Sequence, residues 1–261
     1  MNHPLSANIS ECRSRAEAKG FTLVELLVVV AIMALIIAAS TPALRGLKGS
    51  GDFTKASGSL LDAINLARTY AVANNTYVYL GIAEIQRNQP ASTASATAGI
   101  GEIVVAIVAS KDGTSSRTAG TWADNYSNGA DLALVTKLQF FDQVHVATSP
   151  FPQGTGTMAR PTDNVANFGS NTLVDFTQTP FSLPLGRSIG GGQYNFVNVI
   201  PFNPQGAPMP NGQAVEWIEI DFQPSPGSGS TAPTPPTNVN AGNQAAILID
   251  GSTGVPRLYR P

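Results

Sequence analysis

The sequence predicts an α+β protein, a long N-terminal helix packed on an antiparallel β-sheet. Three observations carry that prediction. Residues 21–39 form an apolar run broken only by Thr22 and Glu25. Residues 52–73 then repeat apolar side chains at spacings of three, four and seven, the period of a helix with one buried face. Beyond residue 76 the chain changes to short apolar stretches separated by Gly, Pro, Asn and Ser, the pattern of strands and turns. A run of helix followed by a run of strands is the order of an α+β unit.

The apolar run reads FTLVELLVVVAIMALIIAAS. At about 1.5 Å per residue it spans about 28 Å, close to the thickness of a bilayer's hydrocarbon core. Leu, Val, Ile and Ala occupy every side of such a helix, so it is buried in lipid or in protein. A cleaved secretory signal is the plainer alternative, but the run is long for one and carries Glu25 inside its front end. A carboxylate in a membrane segment costs on the order of 2–4 kcal/mol unless it reaches an interface or a partner. Either Glu25 snorkels to the headgroups, or it meets a cation. A cut after Gly20 would create one, the α-amino group of Phe21.

Pro42 is expected to bend the helix, and Gly46, Gly49 and Gly51 to weaken it by up to about 1 kcal/mol each. The helix is expected to resume at Asp52, which can cap the new start. Phe53, Leu60, Ile64, Ala67 and Ala71 then share one face, with Lys55, Asp62, Asn65 and Arg68 elsewhere. The Asn74–Asn75 pair ends it. Strands are predicted over residues 77–85, 102–109, 132–138 and 140–147, with a short one over 173–176. Residues 195–202 and 214–222 read as a strand pair around a turn-rich 203–212. Residues 245–250 and 255–259 close the chain around Gly251–Gly254. Residues 90–99 and 223–243 read as loops, and 148–171 as irregular.

The 261 residues allow one membrane segment and one domain of about two hundred residues. The formal charge is −2, so no basic field exists to hold nucleic acid. Charged residues make up 12%, about half the usual share, which suits an extracytoplasmic surface. Cys12 is the only cysteine and lies before Gly20, which excludes disulfides and thiolate metal sites from the rest. Arg13, Arg15 and Lys19 precede the apolar run and Arg45, Lys48 and Lys55 follow it, so charge does not choose an orientation.

No catalytic arrangement is present in the sequence, and no cofactor is expected. A G-x-S-x-G elbow and a phosphate-binding GK[ST] loop are both missing. His145, between Val144 and Val146, reads as a strand residue. Glu219 and Asp221 fall on one strand face with Trp217, and Glu216 on the other. The pair could suggest a glycosidase dyad or a calcium site, but a solvated strand face is the favoured reading.

The string G-FTLVE, with Gly20 before the cut, Phe21 after it and Glu25 at the fifth place, resembles the N-terminus of type IV prepilins and type II secretion pseudopilins. Two further strings, VIPFNPQG at 199–206 and ILIDGSTGVPR at 247–257, together with Ala67-Arg68, are similar to those of H-type minor pseudopilins. The long loops also resemble a pseudopilin-like cassette family, Verru_Chthon cassette protein D. The resemblance implies a leader over 1–20, a transmembrane helix over 21–41, an amphipathic continuation over 42–76 and a β-rich periplasmic domain over 77–261. It implies cleavage between Gly20 and Phe21 by prepilin peptidase, N-methylation of Phe21, and assembly through Glu25 with other pseudopilins or pilins. The chain would sit in the inner membrane as a single-pass protein, in contact with its lipid. The alternative is an N-terminally anchored adhesin or ligand-binding surface domain.

Overall fold

The computed structural model describes residues 22–85, 101–115, 132–148, 150–152, 160–161, 163–170, 173–178, 181–184, 193–225 and 243–260. Leu23–Asn74 forms a continuous α-helix, α1. Helical structure therefore runs through Pro42 and the three glycines, where a restart at Asp52 was expected. Proline removes one backbone hydrogen bond and the glycines weaken their turns, but neither ends the helix here. Asp52 consequently lies inside α1 rather than at a new N-cap.

The chain divides into two units, residues 1–45 and 46–261. In the first, α1 exposes its apolar side chains on all sides, from Leu23 at 81% to Ile37 at 68%. Among the described residues, no helix is long and apolar enough to cross a membrane. The apolar stretch with described side chains ends at Ala39, about 26 Å of helical rise from Leu23.

In the second unit the helix has the single buried face that its periodicity predicts. Phe53, Leu60, Ile64, Ala67 and Ala71 are buried, while Lys55, Asp62 and Asn65 are exposed. Burying each of the large side chains contributes about 1.5–3 kcal/mol. Asn75 adopts a left-handed conformation, with φ of 47°. The Thr76 N–H then reaches the Ala71 carbonyl at 3.1 Å, and the Asn75 N–H reaches that of Val72 at 3.4 Å. This pair of bonds is a Schellman ending, and it explains why the helix stops at the Asn pair.

Among the described residues eleven strands follow: β1 (Val78–Ile85), β2 (Gly101–Ser110), β3 (Leu132–Leu134), β4 (Gln139–Val146), β5 (Val165–Asn167), β6 (Phe181–Pro184), β7 (Gln193–Phe196), β8 (Asn198–Phe202), β9 (Trp217–Pro224), β10 (Ala245–Asp250) and β11 (Pro256–Tyr259). The main sheet has the order β11-β10-β9-β4-β2-β1-β8, with β3 added to β2 and β5 to β9. Its pairings are antiparallel except β5 with β9. β6 and β7 form a separate hairpin. β8 pairs with β1, not with β9 as the sequence suggested. The predicted strand at 195–202 breaks at Val197 between β7 and β8. The expected strand at 173–176 is replaced by a 3-10 turn, Phe176–Gln178.

Both faces of the sheet are covered. One carries Leu80, Ile103, Val105, Ile218, Ile220 and Ile247 against α1. The other carries Tyr79, Val104, Ala106 and Val108 against Phe181 and Phe196 of the β6–β7 hairpin. Those two rings stack at 4.9 Å. Gly81 makes room for them, since a Cβ there would lie 2.6 Å from the Phe181 ring.

Candidate functional site

The front of α1 is built as a capping box. Thr22 precedes the first helical residue, and Glu25 stands three places on. The Glu25 N–H donates to the Thr22 hydroxyl oxygen at 3.2 Å. In return the Thr22 N–H and hydroxyl both donate to Glu25 Oε2, at 2.9 and 3.0 Å. Reciprocal bonds of this kind satisfy N–H groups that a helix start leaves bare. The T-x-x-E spacing was readable in the sequence, but Thr22 was recognised there only as part of the FTLVE string. Gly20 and Phe21 lie outside the described residues, so the cleavage and methylation expected at them have no geometry here. Behind the box, exposed Leu, Val, Ile and Met side chains continue to Ile37. An apolar surface of that extent marks contact with a membrane or with other chains.

A second cluster lies beneath the sheet face opposite α1. Glu219 and Asp221 were expected to face solvent, but they are 0% and 1% exposed. The residues that cover them are Phe151, Arg160 and Asn167, from the stretch predicted to be irregular. Arg160 grips Glu219 with two bonds, Nε to Oε2 at 2.9 Å and Nη2 to Oε1 at 2.8 Å. Its Nη2 also donates to the Phe151 carbonyl at 3.1 Å. Asp221 Oδ2 accepts from the Phe151 N–H at 3.0 Å and from the Asn167 amide at 3.1 Å. Burial, and then the neighbouring Glu219 charge, push Asp221 up to about 9. Burial works against the charge on Arg160, but the hydrogen bond and charge of Glu219 outweigh it and hold the group above its ordinary value. The cluster ties an irregular segment to the sheet; a glycosidase dyad needs carboxylates open to substrate. Glu216 stays exposed and accepts from the Asn164 amide at 2.9 Å.

His145 lies in β4, as its apolar neighbours predict. Its Nδ1 is 2.9 Å from both oxygens of Glu84. Glu84 also accepts the Gly101 N–H at 3.3 Å and the Val146 N–H at 3.4 Å. It therefore serves one amide at the start of β2 and one at the end of β4, where the ladder between the two strands runs out at Gly101–Val144. A polar groove of about 390 Å³ opens at the C-terminal end of α1, lined in part by Tyr70, Asn74, Ser110, Lys111 and Asp112. The Ser110 hydroxyl, followed by the Thr114 N–H and hydroxyl, holds Asp112 down to about 2. Among the described residues, no group of three or more His, Cys, Asp or Glu could hold a metal ion.

Residues 15–41 match the family model of the prokaryotic N-terminal methylation motif. The match takes in Gly20, Phe21 and Glu25. The chain is also similar to the type IV wide pilus major component PilA4 of Thermus thermophilus. The two are 35% identical over 88 residues, which cover 31% of this chain and 67% of that protein. The chain belongs to the type IV pilin-like family. It is thus a pilin-like filament subunit, a structural protein and not an enzyme. No solved structure matches it.

In this pilin-like chain the three strings noted in the sequence meet at one place. Arg68 Nε donates to the Thr253 carbonyl at 2.5 Å. Gly206 and Gly254 both have positive φ, 83° and 70°. A Cβ on Gly206 would lie 2.8 Å from Val72 and 3.2 Å from Arg68, and one on Gly254 would lie 1.9 Å from the Gly206 carbonyl oxygen. Only glycine permits both turns to close on the helix at that distance.

Proposed function

We propose that the chain is a minor pseudopilin-like subunit, cut between Gly20 and Phe21 by prepilin peptidase and methylated on Phe21. Residues 21–41 anchor it in the inner membrane, and the β-rich domain lies in the periplasm. From there the N-terminal helix joins other pilins or pseudopilins in a type II secretion pseudopilus or a type IV pilus-like filament. The observation that carries this reading is the front of α1, where one carboxylate, Glu25, heads a helix exposing only apolar side chains as far as Ile37. Lipid covers such a surface before assembly and neighbouring helices cover it afterwards. The meeting of Arg68, Gly206 and Gly254 supports the H-type branch, because it gives one structural role to strings far apart in sequence.

In the filament the Phe21 ammonium and a Glu25 carboxylate meet in an apolar setting. Removing one partner of such a pair costs about 3–5 kcal/mol, since the other charge is left buried. Glu25→Val should still insert in the membrane and still be cleaved. It should fail to crosslink to, or co-purify with, its partner pilins. Glu25→Asp should be intermediate, because its shorter arm reaches less far. Wild-type amounts of crosslinked complex in the Val variant would remove Glu25 from assembly.

A further inference from the structure

We infer that Glu219 and Asp221 share a proton in the folded protein, which makes the buried cluster with Arg160 neutral and lets it loosen when that proton is lost in alkali. Two carboxylates lie two residues apart on one face of β9, at most 1% exposed, and one guanidinium faces them. If both carboxylates were ionised, the cluster would hold an excess negative charge where water does not reach. Such a charge is expensive to bury, and a neighbouring like charge makes it more so.

The hydrogen bonds say where the proton sits. Arg160 spends both of its short bonds on Glu219. Asp221 Oδ2 takes the Phe151 N–H and the Asn167 amide. Asp221 Oδ1 is buried with no donor, and Arg160 Nη2 is 3.7 Å away, too long for a hydrogen bond. Glu219 and Asp221 stand two residues apart on one buried face of β9, so their charges act on each other. Two ionised carboxylates at that spacing repel each other. A proton on Oδ1 turns one of them into a donor, satisfies the orphaned oxygen and removes the excess charge together.

Among the described residues, the cation that faces the pair is Arg160. The β10 residues opposite Glu219 and Asp221 are Leu248 and Ala246. The covering segment contributes the Phe151 N–H and the Asn167 amide, neither of which titrates. Tyr259 of β11 is the remaining titratable group acting on Arg160. The upward displacement of Asp221 to about 9 agrees with this geometry. Its folded value lies above its unfolded one, so its contribution is fully present below the ordinary aspartate value and is lost as the pH rises through about 9.

Infrared spectra of the full chain in detergent micelles test the proton directly. At pH 7 the wild type should show the C=O stretch of a buried protonated carboxyl, and Asp221→Asn should lack it. Thermal midpoints between pH 6 and 9.5 test the consequence. The wild-type midpoint should fall across that range by more than about 3 °C relative to Asp221→Asn. Glu219→Gln leaves one carboxylate for one guanidinium and should also flatten the profile, which serves if the Asn variant does not fold. A wild-type spectrum at pH 7 without the protonated band, or variants that keep the wild-type alkaline fall, would overturn the shared proton.

Discussion

Arg160→Met is the substitution that most severely tests the buried cluster. The methionine keeps much of the side-chain volume but removes two bonds to Glu219 and one to the Phe151 carbonyl. Glu219, 0% exposed, is then left without a cation. Breaking one partner out of a buried pair costs about 3–5 kcal/mol. For a domain of this size each kcal/mol shifts the thermal midpoint by about 2–4 °C, so the fall should be about 6–20 °C at pH 7. Amide exchange should rise first at Phe168, whose N–H bonds the Glu219 carbonyl at 2.8 Å. Replacing Glu219 and Asp221 by Leu in the same chain should recover most of the loss, because an apolar cluster of similar volume needs no compensation. Circular dichroism melts of the full chain in detergent supply the midpoints. A loss under about 1 kcal/mol for Arg160→Met alone would refute the claim that the cluster holds this segment on the sheet.

Gly81→Val should destabilise by about 1–3 kcal/mol, because its side chain would enter the space of the stacked Phe181 and Phe196 rings; the check is a urea melt, with protease sensitivity rising between β6 and β7. Asp112 should behave as an acid-labile clasp. Its folded value is depressed to about 2, so its bonds to Ser110 and Thr114 persist above the ordinary aspartate range and are lost as the pH falls through about 2. The Thr114 amide resonance followed by NMR should therefore still be in its folded position at pH 4. Gly254→Ala should lower the thermal midpoint and release Arg68 from Thr253, since φ is positive and a Cβ would press on the Gly206 carbonyl oxygen; unchanged Arg68 exchange rates would contradict that.

The helix was legible because its signal is local. Phe53 to Ala71 repeat at helical spacing, and the Asn pair supplies the left-handed residue that ends it. Strand positions β1, β2, β4, β10 and β11 were likewise written in short apolar runs. Strand partners were less legible. β8 finds β1 across more than a hundred residues, and nothing local distinguishes that pairing from one with β9. The burial of Glu219 and Asp221 was missed because alternation along β9 was taken to mean one wet face. β2 already argued otherwise. A strand that reads IVVAIVA is apolar on both sides, which requires a covered sheet on both sides. Arg160 had no signal of its own, being a lone cation in a stretch rich in Gly and Pro. At the N-terminus, Glu25 was singled out from the sequence for assembly, and the structure adds its bonds to Thr22.

The most direct test of the filament-subunit account is the N-terminus of the protein purified from membranes of cells that contain prepilin peptidase. Intact mass and N-terminal sequencing should show a chain that begins at Phe21 and carries one methyl group on its amine. Gly20→Glu should leave the full-length precursor. A wild-type chain that still begins at Met1, or one that begins near Thr41 as after removal of a secretory signal, would contradict the account.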